Sequence, residues 1–363
     1  MWRKLNLWRG LAALFNVFMI LAIFTTLILN EYATTINDFL GISTSRIVQN
    51  DGEEIIDSEY YKSTFGPLTP ENLDILENAA YAQTVQEAEE GVVLLKNGLV
   101  GGKPALPLDE DERKVTLFGY ASTNILWKTA AAGTDAHKYN PEYRVDLDEA
   151  LIAADFSVNQ TLFEAYKWGN GATISRRESG SAVWNEEPLS FYTPELRESW
   201  GDYNDLAIVV LAREGGEGKD MAVNERDVDG TYISSLALTS REKDMLQMIK
   251  EANFGKTIVL INTNYQMELS WLDDFDTYGV DACLFIGTPG LTGLTGVVNI
   301  LTGAVNPSGR LVSTFAANSL SSPAIVNACG NTPQWVNKDT ITISGIVKDP
   351  AIDRNYVSVQ IEN

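Results

Sequence analysis

Residues 205–220 read DLAIVVLAREGGEGKD, and this stretch decides the fold class. Leu206 to Ala212 is an unbroken apolar run with no polar alternation. Such Val/Ile/Leu runs form strands covered on both faces, as in parallel sheets packed between helices. The run passes directly into a loop carrying Glu214 and Glu217 among three glycines. Ligands on open parallel sheets bind just beyond the carboxyl ends of the strands, where this loop falls. Two acids on such flexible backbone suit chemistry; in a chain this acidic, a solvated loop acid is the plainer alternative.

On either side of this stretch, similar runs recur with helix signals between them. KVTLFGY (114–120), FSVN (156–159), KTIVLIN (256–262) and DACLFIG (281–287) read as strands. Thr69 before Pro70 is a capping residue followed by proline at the first helical position, and it opens a helix from Glu71 toward Asn97. Gly91 interrupts that helix, leaving VVLLKN as a separate turn or strand. Asp146 with Glu149, and Thr239 with Glu242, have capping-box spacing and start two more helices, the second stopping at Gly255. A shorter helix is expected around Thr161–Lys167, and another over Leu291–Leu301 before the turn NPSG. Strand alternating with helix predicts a three-layer α/β/α sandwich on a mainly parallel sheet, over residues 69–317.

Gly169 to Trp200 breaks the alternation and is rich in aromatics: Trp184, Phe191, Tyr192 and Trp200, with Arg176 and Arg177. Aromatics in a long insertion either stack on sugars or pin the loop to its own domain, and the structural role is the expected one. Residues 318–363 read as a polar tail with strand-like pieces, TITISGIV and NYVSVQIE.

The other end of the chain is different in kind. Leu11 to Leu29 is apolar apart from Asn16, Thr25 and Thr26, long enough to cross the hydrocarbon core of a bilayer. Arg3, Lys4 and Arg9 precede it, and Glu31 and Asp38 follow. The positive-inside rule then predicts a cytoplasmic stub (1–10), one transmembrane anchor (11–30), a linker (31–68) and an extracellular main domain. An uncleaved anchor is expected over a cleaved signal peptide, because no A-x-A site follows the long apolar stretch.

Composition excludes several functions. Of 363 residues, 27 are Lys or Arg and 49 are Asp or Glu, a net charge of −22 that repels phosphate backbones, so no nucleic acid is expected as a partner. The two cysteines, Cys283 and Cys329, are too few for a disulfide framework, and the single histidine, His137, excludes a multi-histidine metal site. Gly287-Thr288-Pro289-Gly290 before a helix lacks the Lys-Ser/Thr of a phosphate loop, and no G-x-S-x-G elbow occurs. Neither a cofactor nor a metal is expected. Glycan hydrolysis needs only two carboxyl groups, and the composition permits it. The residues alone leave two candidates for a catalytic acid. Glu217 lies between Gly216 and Gly218, while Glu214 is either the acid or the partner of Arg213.

Five motifs in order narrow this further: EEGVVLLKNG…ALPL (89–108), KVTLFGYAS, REGGEGKD, TIVLINT and LTGAVNPSGRLVSTF. Together they resemble the second domain of glycoside hydrolase family 3, over roughly residues 75–316. The resemblance implies an α/β sandwich working beside a TIM barrel in retaining, exo-acting β-glucosidases and β-xylosidases. The family's barrel aspartate attacks, and a sandwich glutamate protonates the leaving group. Against the family's S-G-E-G-x-D-R, Glu217 matches that acid/base glutamate and Asp220 the following aspartate. Gly215 replaces the serine and Met221 the arginine. Arg213, Glu214 and Asp220 are the implied substrate contacts. The barrel's Lys-His and Ser-Asp-Trp motifs are not found in the chain, so the resemblance implies a partner TIM-barrel domain carrying the nucleophile aspartate, after Asn363 in members of reversed domain order. The alternative is a non-catalytic module that holds glycan at the cell surface.

Overall fold

In the computed structural model, residues 2–40, 64–66, 69–127, 144–168, 186–215, 224–319, 346–348 and 357–359 are described. The chain divides into two compact units, Met1–Pro67 and Leu68–Asn363.

The first unit consists of helix α1 (Trp2–Glu31) and the short α2 (Ala33–Phe39). Within α1, Asn6–Glu31 has a mean hydropathy of 2.4 and is not buried in the protein, so it is long and apolar enough to cross a membrane. The helix also takes in the basic residues before Leu11, because nothing between Trp2 and Gly10 breaks it.

The second unit begins with α3 (Pro70–Gly91), capped by Thr69, whose hydroxyl accepts from Asn72 N–H with Pro70 in the first turn. In chain order it continues through β1 (Val93–Asn97), a two-residue hairpin pair β2 (Leu99–Val100) and β3 (Lys103–Pro104), then β4 (Lys114–Phe118), α4 (Leu147–Ala153), β5 (Ser157–Val158) and α5 (Gln160–Trp168). It goes on with α6 (Pro194–Glu198), β6 (Leu206–Arg213), a hairpin of β7 (Asn224–Arg226) and β8 (Tyr232–Ser234), and α7 (Ser240–Ala252). Then come β9 (Lys256–Thr263), α8 (Phe275–Tyr278), β10 (Ala282–Phe285) and α9 (Gly293–Leu301). Beyond residue 319, β11 (Ile346–Lys348) pairs antiparallel with β12 (Val357–Val359).

Six strands form one sheet in the order β1-β10-β9-β6-β4-β5. All neighbours run parallel except β1, which is antiparallel to β10. In the central strand β6 all eight residues are buried. Ile208, Val210 and Ala212 join one core with α4 and α9, while Ala207, Val209 and Leu211 join the other with α5 and α7. Side chains alternate across a strand, so an uninterrupted apolar run feeds two cores at once, and helices on both faces follow.

Local signals hold at the helix ends. Both capping boxes form, Asp146 with Glu149 and Thr239 with Glu242. One boundary moves: α7 ends at Ala252 with Asn253 as a left-handed cap at φ 55°, ahead of Gly255. Asparagine tolerates that conformation, and Gly255 is needed instead for close approach, since a β-carbon there would lie 2.7 Å from Asp205 O. The expected linkage of 71–97 resolves into helix to Gly91 and strand from Val93.

The aromatic insertion packs rather than projects. Its first part, 169–185, with Arg176, Arg177 and Trp184, lies outside the described residues. Phe191, Tyr192 and Trp200 are buried. Trp200 meets Phe118 edge-on at 5.4 Å and Phe254 at 6.1 Å. His137 and Cys329 also fall outside the described residues, while Cys283 is buried, a small apolar residue whose thiol burial pushes far up.

Candidate active site

The strand order places a crevice. From β4 the chain moves outward to the edge strand β5, then returns to lay β6 on the other side of β4. At such a reversal the loops leave in opposite directions, and the carboxyl ends of the two strands open a binding site. Here those ends are Gly119 after β4 and Glu214 after β6. Gly119 takes φ 88°, and a β-carbon on it would lie 2.6 Å from Val210 O. The backbones approach more closely than any side chain allows.

Arg213 closes β6. Its side chain is fully buried, yet it is charged, so every donor needs a partner. Nε donates to Ser235 O at 2.9 Å, Nη1 to Ala212 O and Glu242 Oε1 at 2.8 Å each, and Nη2 to Ala237 O at 2.6 Å and Glu242 Oε2 at 2.8 Å. That uses all the guanidinium N–H groups. Arg213 therefore has none left for a sugar hydroxyl, and the substrate contact expected of it from the sequence is replaced by a structural one. Its ion pair is with Glu242 rather than Glu214. Glu242 also accepts from Thr239 N–H, so one carboxylate caps α7 and holds the end of β6.

Glu214 follows at the surface, part exposed, and Gly215 is buried. Glu217 and Asp220 lie within 216–223, outside the described residues. Among the described residues, no group of three or more acidic, histidine or cysteine side chains is arranged to hold a metal ion.

Sequence reading missed three residues that the structure brings to this edge. Glu186 sits buried under the crevice, accepting from Tyr120 N–H at 2.8 Å and from Glu187 N–H at 2.9 Å. Burial pushes its carboxyl up to about 7, with Glu242 and Glu187 adding to the rise and the two N–H donors opposing it. Desolvation wins because two neutral donors do not replace the lost water. Asn262, also buried, accepts from Leu126 N–H at 2.6 Å and donates to Gly287 O at 2.7 Å, which ties the loops after β4 and β10 to the end of β9. Tyr265, two residues past β9, lies against Gly215. The sequence carries no local signal for any of these, because each acts on a residue from a different strand.

The Gly287–Gly290 loop lines a separate concavity of about 340 Å³ with Thr84 and Glu87 of α3. A carboxylate on its wall disfavours an anion there.

Comparison with known proteins extends the resemblance. Residues 92–341 match the family model described as the glycosyl hydrolase family 3 C-terminal domain. The β-glucosidase A of Butyrivibrio fibrisolvens is 33% identical over 248 residues, covering 64% of this chain and 28% of that protein. The β-glucosidase of Ruminococcus albus is 26% identical over 249 residues, 66% of this chain and 23% of that one. Among solved structures, β-glucosidase 3B from Thermotoga neapolitana in complex with glycerol superposes with a TM-score of 0.53 and 25% identity, over 69% of this chain and 32% of that one. The chain thus spans only 23% and 28% of the length of these two curated relatives.

Proposed function

Because this chain belongs to the glycosyl hydrolase family 3 C-terminal domain family, we propose that it supplies the acid/base half of a retaining, exo-acting β-glycosidase of the β-glucosidase type. The observation that carries this reading is the exit of β6, the central buried strand, at the carboxyl edge beside the β4 reversal. The motif residue Glu217 follows that exit by four positions.

The chemistry needs two carboxyl groups. An aspartate from a barrel domain attacks the anomeric carbon while Glu217 gives its proton to the departing glycosidic oxygen. Glu217, now a carboxylate, then takes a proton from water, and that water displaces the aspartate. Retention requires the two carboxyl groups about 5–5.5 Å apart, so the barrel aspartate that the family resemblance implies has to reach this edge. Arg213 and Glu242 hold the strand end from which the acid loop departs, and Asn262 holds the loops on either side. Asp220 and Glu214 are assigned to substrate contact. Helix α1 anchors the protein with its N-terminus in the cytoplasm and the sandwich outside.

Two measurements test this. Residues 31–363, purified alone, are expected not to turn over an aryl β-glucoside, and turnover by them would remove the need for a partner aspartate. In the complete native protein, Glu217→Gln is expected to lower kcat/KM for a disaccharide by about 10²–10⁴. Glycan affinity that survives this substitution, with no hydrolysis in the wild type, would make the chain a non-catalytic binding module.

A further inference from the structure

The carboxyl edge holds one aromatic placement that the acid/base reading leaves unused. A β-carbon on Gly215 would lie 2.0 Å from Cε2 of Tyr265 and 2.4 Å from both its Cζ and its hydroxyl oxygen. Non-bonded carbons do not approach so closely, so the phenol edge stands in the space a side chain at 215 would fill. Gly215 is not among the glycines of positive φ. The left-handed backbone that would itself require glycine is therefore not the reason for it, and the three atoms nearest to such a β-carbon all belong to the tyrosine ring and hydroxyl.

The ring comes from the neighbouring strand. β6 and β9 pair along their whole length, ending at Arg213 opposite Thr263. Tyr265 N–H donates to Thr263 Oγ1 at 3.0 Å, which turns the chain back toward Gly215 just past the strand. The residue stays part exposed, so it is not a core filler. A phenol in such a place offers an apolar ring and a hydroxyl that both donates and accepts, as a sugar hydroxyl does.

We propose that Tyr265 is a specificity-determining residue of the candidate site, filling the side-chain place of Gly215 and offering its hydroxyl to a pyranose at the carboxyl ends of β6 and β9. This rests on the glycosidase reading above. A contact to a sugar hydroxyl away from the reacting bond is made equally in ground and transition states, so its loss raises KM and leaves kcat. The ring is the free end of a side chain, so a methyl group at 215 would swing it outward without unfolding the domain.

The test uses the complete native protein and four variants, Tyr265→Phe, Tyr265→Ala, Gly215→Ala and Glu217→Gln. Nitration by tetranitromethane, mapped to Tyr265 by peptide mass, is expected to quicken several-fold in Gly215→Ala. An unchanged rate would overturn the placement, whatever the enzyme's activity. With 4-nitrophenyl β-glucoside, Tyr265→Phe is expected to raise KM about fivefold at constant kcat, the size of one neutral hydrogen bond. Gly215→Ala and Tyr265→Ala should raise KM at least as much. A domain merely loosened by the substitution would lose kcat instead, and that result, or an unmoved KM, overturns the proposal. Full turnover by Glu217→Gln overturns the acid assignment alone, leaving the KM pattern to judge Tyr265.

Discussion

Arg213 and Glu242 meet in a two-pronged ion pair, both N–O distances 2.8 Å, with 0% and 4% of their side chains exposed. A charge pair so buried recovers its desolvation cost only through complete hydrogen bonding. Here carbonyls at 212, 235 and 237 complete it. The pair is a fixed corner between the central strand and α7, directly before Glu214.

Removing one partner leaves the other charge buried alone. Arg213→Met and Glu242→Gln are each expected to destabilise by about 3–5 kcal/mol. Combining the two substitutions in one protein should cost less than the sum. Urea unfolding of the four proteins measures the coupling, and additivity would show that the pair acts as two separate residues.

Glu186 makes stability depend on pH. Its carboxyl is raised from 4.5 to about 7, so the folded state holds its proton where the unfolded state has lost it. Stability from this group is therefore highest below about pH 4.5, declines as pH rises to 7, and is level above that, a loss of about 3 kcal/mol by linkage. Glu186→Gln is expected to flatten the melting temperature across this window, and an unaltered slope would show that the proton sits elsewhere.

Trp200 should matter through its ring area. It packs on Phe118, Tyr192 and Phe254 with centroids at 5.4, 6.2 and 6.1 Å. Its Nε1 has no hydrogen-bond partner among the described residues. Trp200→Ala is expected to cost about 3–5 kcal/mol, and Trp200→Phe about 1–2 kcal/mol, since most of the ring area stays and no bond is lost with the nitrogen. Thermal melts of the two variants decide whether shape or polarity dominates.

For the proposed acid, the leaving group sets the size of the effect. Glu217→Gln is expected to lower kcat/KM, which reports the leaving-group step, on a disaccharide by about 10²–10⁴. The loss should be smaller on a nitrophenyl glucoside, whose leaving group departs without a proton. Equal losses on both substrates would assign Glu217 another role.

The α/β/α sandwich was legible in the chain because its signals are local. An apolar run with no alternation specifies burial on both faces, and capping pairs three residues apart specify helix starts. Leu206–Ala212, Asp146/Glu149 and Thr239/Glu242 all form as written in the sequence. For the insertion's aromatics, composition favours packing over sugar stacking without naming their partners. Burial of Phe191, Tyr192 and Trp200 against Phe118 and Tyr166 decides for packing, a matter of which strand lies beneath them.

The site divides along the same line. Local sequence and family pattern single out Glu217, and chain order alone makes it follow a buried strand. That Arg213 faces inward to Glu242, that Glu186 is buried under Tyr120, and that Tyr265 takes the place of a side chain at 215 depend on contacts 22 to 66 residues apart for the first two, and across a strand pair for the third. Such contacts have no period and no motif. They arise only when parallel pairing brings the ends of β4, β6 and β9 together, and the low-dielectric interior then decides which charges must find partners.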